Sequence, residues 1–152
     1  MKSVFDKDAR LELLSRIHTL SPADAAIWGK MNVHQMIRHC TLWDRWISGT
    51  TTTKYAYKQQ FIGFIFGKLA LKKLTKNDKP LDRHVPTSSF LRIKHTDKAI
   101  EELKTDWCEV MAAYSDYDNP EFVHDFFGKM TNQQIGIFVY KHKDHHLRQF
   151  GV

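Results

Sequence analysis

Thr131-Asn132-Gln133-Gln134-Ile135-Gly136-Ile137-Phe138-Val139-Tyr140-Lys141-His142-Lys143-Asp144-His145-His146-Leu147-Arg148-Gln149 is the stretch whose reading decides the fold. It opens on a capping box, with the Thr131 hydroxyl bonding forward and the Gln134 amide reaching back, so a helix begins here. An apolar helical pattern of Ile135, Phe138 and Val139 follows, and three of the nine histidines fall between His142 and His146. Each helical residue advances by about 100°, which puts Ile135 near +20°, Phe138 near −40° and Val139 near +60° as measured from His142. On that wheel His146 falls at about +40°, inside the stripe, and His145 at about −60°, beside it. His142 and His146 are thus the inward pair and His145 a rim residue. Two imidazoles one turn apart are what a divalent metal takes from a helix. The same residues also read as polar groups at the end of a C-terminal helix, favoured there by its dipole.

Composition sets the frame for that helix. The chain has 152 residues, 42% hydrophobic and 26% charged, which fits a single soluble globular domain over residues 1–152. Four Trp and ten Phe supply much of its core. Cys40 and Cys108 form neither a CxxC nor a disulfide scaffold. The opening residues Met1 to Asp8 carry acids and no apolar centre, unlike a signal peptide, and a reduced cytoplasm is the expected compartment. The net charge of +6 comes with no helix-turn-helix, zinc-knuckle or aromatic-sheet motif, so it reads as a solvated basic face with no nucleic-acid partner.

The periodicity predicts three more long helices. The first covers about Asp6 to Leu20, with Leu11, Leu14, Ile17 and His18 on one face. The second runs from Val33 to Ile47, capped by Asn32 and ending near Gly49, with Val33, Met36, Ile37, Cys40, Trp43 and Ile47 buried. His39 lies at the edge of that stripe in line with Trp43 and Trp46, where a histidine is more often packed than ligating. The third starts at Thr96 or Asp97 and buries Ile100, Leu103, Trp107, Val110, Met111 and Tyr114. Between the second and third lie the Thr50–Thr53 run, an apolar segment from Phe61 to Leu74 and a proline-bearing loop from Lys76 to Ser89. The apolar segment is shorter than the roughly 20 residues that cross a bilayer. Its trailing lysines allow an interfacial membrane helix as a weaker alternative, but it reads first as an extra helix packed on the bundle or on a second subunit, with no membrane partner.

With one histidine on the second helix and a pair on the last, the chain resembles the DinB-like (YfiT-like) superfamily, in a branch of uncharacterised bacterial domains. The residues that carry the resemblance run from Trp28 to Cys40, from Phe126 to Thr131 and from Tyr140 to Gly151, and the loop from Lys76 to Thr87 adds to it. The resemblance implies an all-α four-helix bundle of up-down-down-up order, often a homodimer, with one metal held by three histidines. Carried over, the ligands are His39, His142 and His146. Three neutral imidazoles suit zinc or nickel, with iron or manganese as further candidates. Family members include thiol-dependent S-transferases and isomerases, so the expected work is metal-dependent thiol transfer or hydrolysis on a small molecule. The other reading is a bundle that binds metal or ligand without catalysis. Trp43, Trp46, His145 and Gln149 are candidate pocket residues. Asp44, His124 and Arg148 are weaker polar candidates, and Asp144 points away from His142, so no general base is assigned.

Overall fold

Two capping boxes start the two helices that matter most. In the computed structural model, which describes residues 1–51, 57–83 and 87–152, five α-helices form and no strand appears among the described residues. They are α1 (Lys7–Thr19), α2 (Val33–Ser48), α3 (Phe61–Leu74), α4 (Ile100–Ala112) and α5 (Asn132–Gln149). Thr52 and Thr53 of the threonine run, and Pro86 of the loop, lie outside the described residues.

The Asn32 carboxamide accepts from the Gln35 N–H at 2.9 Å while Gln35 accepts from the Asn32 N–H at 3.0 Å, and Thr131 and Gln134 repeat the exchange at the start of α5. Gly49 ends α2 in the left-handed region at φ 74°, where a β-carbon would be strained.

Contacts at the helix ends give the directions. The Val4 N–H donates to the Gly136 carbonyl, and Arg16 binds Asp144 at 2.9 Å and the Val152 carbonyl at 2.8 Å, so α1 and α5 run parallel. Lys104, near the start of α4, donates to the carbonyls of His18 and Leu20 at the end of α1, so these two are antiparallel. Asp44 meets Trp107 and Tyr114, while Gln35 reaches the Ile93 and Lys94 carbonyls, so α2 and α4 run together. The order α1 up, α2 down, α4 down, α5 up is the one expected, with α3 outside it.

Two expectations are corrected. The inward face of α1 is Ala9, Leu13 and Ile17, one turn apart, whereas Leu11 is 53% exposed and His18 is on the surface. The ties at Val4 and Arg16 set the rotation of α1, which its own mixed pattern leaves ambiguous. α4 begins at Ile100, because the chain before it stays extended while the Ile93 and Lys94 carbonyls serve Gln35. Asp97 pairs with exposed His95 instead of capping. Val110 is half-buried, and a 3-10 turn from Ala113 to Asp116 carries Tyr114 inward.

α3 leans on the bundle through Gly63, Gly67 and Leu71, and a β-carbon on either glycine would press into the Phe126 backbone carbonyl. Gly67→Ala gains helix propensity of about 1 kcal/mol. Intrusion on a fixed carbonyl outweighs it, so a net loss of about 1–3 kcal/mol is expected in urea denaturation. Unchanged or higher stability would show that this contact does not hold α3.

Candidate metal centre

α2 and α5 cross antiparallel, which brings His39 opposite His142 and His146. Ring centroids lie 5.4 Å apart for His39–His142, 4.9 Å for His39–His146 and 4.6 Å for His142–His146. One nitrogen from each ring falls in a group whose members are all within 4.8 Å of one another. Nitrogens around a tetrahedral zinc sit about 3.3 Å apart, so rotations that close at most about 1.5 Å would bring the three to one ion.

The hydrogen bonds around the rings decide which nitrogens face inward. The Nδ1 of His39 lies 2.9 Å from the Leu91 carbonyl, an acceptor only, so Nδ1 carries the proton and Nε2 keeps its lone pair. That Nε2 is buried with no hydrogen-bond partner, a state that a neutral core histidine leaves unexplained and a ligand accounts for. His146 is set the same way. Gln149 donates its amide N–H to the Trp28 carbonyl at 2.6 Å, which turns Oε1 toward His146 Nδ1 at 2.9 Å. Gly29 leaves room for that amide: its φ is +84°, and a β-carbon there would collide with Gln149 Nε2.

His142 differs. The Lys143 ammonium, a donor only, lies 3.2 Å from its Nδ1, which puts the proton of the neutral ring on Nε2. Ligation through Nε2 therefore requires the Nδ1–H tautomer, with Lys143 giving up this contact. The His142 ring stacks on Trp43, centroids 4.1 Å apart and planes within 10°. It is half-buried where His39 and His146 are buried, so its edge is the part of the site nearest solvent.

Burial disfavours imidazolium at all three. It lowers the His39 pKa to about 4, against the pull of the Leu91 carbonyl, and holds His142 and His146 well below the ordinary histidine range, with neighbouring Lys143 and histidines adding repulsion. Neutral imidazole is the form that binds metal.

The remaining candidates separate. Trp43 walls the site. Trp46 packs on Tyr57, Phe90, Phe122 and His124 and has no described ring contact with the three histidines. His145 is half-buried between Trp28 and His146, with Arg83 over the Trp28 face at 4.3 Å. His124 accepts the N–H groups of Phe126 and Phe127 and so ties its own turn together. Arg148 is exposed, and Asp144 is taken by Arg16. A shallow cleft between Asn32, His34, Gln35 and His95–Lys98 lies at the start of α2 and includes none of the three histidines.

Beneath the site lies a group that the sequence reading misplaced. Asp44, expected near the mouth, is fully buried. It accepts from Lys143 at 2.7 Å and Tyr114 at 2.8 Å through Oδ1, and from Trp107 at 3.1 Å through Oδ2. Burial raises its pKa, opposed by those same donors, Lys143 foremost. Lys143, also fully buried, rests its Nζ 4.0 Å from the Trp43 ring centre. A signal was available, because Asp44 falls about 140° from His39 on the α2 wheel, between Val33 at about 120° and Ile37 at about 160°. An acid inside an apolar stripe requires a buried cation.

A family model described as "Protein of unknown function (DUF1569)" matches residues 3–151, and the chain belongs to that family. No curated protein and no solved structure matches it significantly.

Removing one partner of the buried pair strands the other charge, so Asp44→Ala is expected to cost about 3–5 kcal/mol in chemical denaturation. The apolar replacement Asp44→Leu/Lys143→Met should recover most of it, and a double variant as weak as the single would contradict this account. The metal-free protein should also lose stability on acidification. Unfolded histidine protonates near pH 6.5 but His39 only near pH 4, so the unfolded state binds more protons across that window. At pH 5 this one residue costs about 2 kcal/mol relative to pH 7. Denaturation curves at pH 7, 6 and 5 test this, and His39→Gln should flatten the slope.

Proposed function

We propose that this chain is a DinB-like metal-dependent protein in which His39, His142 and His146 hold one divalent transition ion, zinc or nickel before iron or manganese. The observation that carries the reading is the buried, unpartnered Nε2 of His39, facing two more neutral imidazoles. Three nitrogen ligands without a fourth from the protein leave a position for water or substrate. An ion held there supplies Lewis acidity, activating a bound water or thiol or polarising a carbonyl.

The chain's own residues have definable tasks. The Leu91 carbonyl and Gln149 Oε1 fix two rings in the ligating tautomer, as acceptors on the far nitrogen of a metal-binding imidazole do. Trp43 supports the third ring and excludes water from its face. Lys143 retains Asp44 when His142 changes tautomer, so the buried charge stays paired. His145, half-buried beside His146, lies where a small-molecule substrate approaching the exposed edge of His142 would meet it. Such a site fits thiol transfer or hydrolysis.

One observation favours the second reading, a bundle that binds metal or ligand without turnover. Among the described residues no carboxylate stands ready as a base beside the three histidines, since Asp44 and Asp144 are both committed to cations.

Elemental analysis of untagged protein tests the proposal. About one equivalent of transition metal is expected, lost in His39→Ala/His142→Ala. No metal in either protein after incubation with zinc or nickel would overturn it. If metal is present, turnover of a small thiol or a hydrolysable ester that vanishes in His142→Ala separates the enzyme from the binding bundle.

A further inference from the structure

α3 leaves an apolar surface open. Phe61 is 81% exposed, Leu69 71% and Phe64 69%, and Ile62, Ile65 and Phe66 each exceed half. These are six large side chains on one 14-residue helix whose inner face is little more than two glycines and Leu71. Single exposed hydrophobics are ordinary, but a contiguous set of this size marks a contact surface. The glycines bring the helix backbone close to the Phe126 carbonyl, so α3 lies flat on the body and presents the opposite side outward.

Charge is arranged along the same helix. Five of the six apolar residues fall in its first two turns, and exposed Lys68, Lys72 and Lys73 share its last two with Leu69. From Lys58 to Lys76 the chain has five lysines, at 58, 68, 72, 73 and 76, and no acid. A second copy laid α3 against α3 offers this face no counter-charge. Antiparallel pairing about Ile65 sets Lys72 opposite the partner's Lys58, and parallel pairing stacks the lysines side by side. Anionic headgroups supply the missing charge, while the Phe and Ile side chains enter the acyl boundary. No helix among the described residues is long and apolar enough to cross a membrane, so the contact is interfacial. We infer that the outer face of α3 docks the protein on an anionic lipid surface, with Phe61, Phe64 and Ile65 inserted and Lys68, Lys72 and Lys73 on the headgroups. The sequence reading preferred protein cover for this helix and no membrane partner, with an interfacial membrane helix as the weaker alternative.

Flotation of the full chain with vesicles is the test, comparing phosphatidylcholine alone with phosphatidylcholine in which a third of the lipid is phosphatidylserine. Binding to the anionic vesicles only is expected, weakened by high salt. Lys68→Glu/Lys72→Glu/Lys73→Glu should lower it more than about a hundredfold. Phe64→Ser/Ile65→Ser, on exposed positions, should abolish it with unchanged circular dichroism. Absence of binding to anionic vesicles, or equal binding to both compositions, would overturn the inference. So would a dimer in sedimentation that the Phe64→Ser/Ile65→Ser variant dissolves while the unaltered chain ignores the vesicles.

Discussion

Asp44 and Lys143 form an ion pair with neither side chain exposed, and the packing of three helices depends on it. Two bare charges in a protein interior cost several kcal/mol each unless every donor and acceptor is used. Here they are used: the carboxylate takes one donor each from α4, the 3-10 turn that follows it and α5, and the ammonium has a carboxylate, a ring nitrogen and an aromatic face. A register shift between α2 and α5 would break this set. Because Lys143 neighbours His142 and Asp44 neighbours Trp43, the pair also fixes how the histidines of the two helices meet.

The site inherits its order from that crossing. Its rings are held at Nδ1 by a carbonyl from the 3-10 turn Ser89–Leu91, an amide on α5 and a lysine on α5. Gly29, far earlier in the chain, contributes by having no side chain, so that Gln149 can span from Trp28 to His146. Neutral, desolvated imidazoles suit a borderline transition ion better than a hard cation, which takes oxygen ligands.

α3 obeys a different logic. The bundle buries its apolar stripes between helices, while α3 spends its small residues on contact and exposes its large ones. Hydrophobicity read along the segment could not tell a buried helix from an exposed one, because both are apolar nearly all round. The lysines at its end were legible, but their place on the same outer face was not.

The sequence by itself determined the elements whose cause is local. Asn32 and Thr131 begin helices because their side chains meet a backbone three residues on, Gly49 ends one because it reaches the left-handed region, and the 3.6-residue period puts His142 and His146 on one face. What only the tertiary structure decided are the matters that depend on distant neighbours. They include the rotation of α1, set by Val4 and Arg16, the start of α4, set by Gln35, and the tautomers of His39 and His146, set by Leu91 and Gln149. Asp44 shows the boundary between the two: its place in an apolar stripe could be computed from α2 alone. Its partner could not, because Lys143 lies 99 residues on and meets it only when α5 crosses α2.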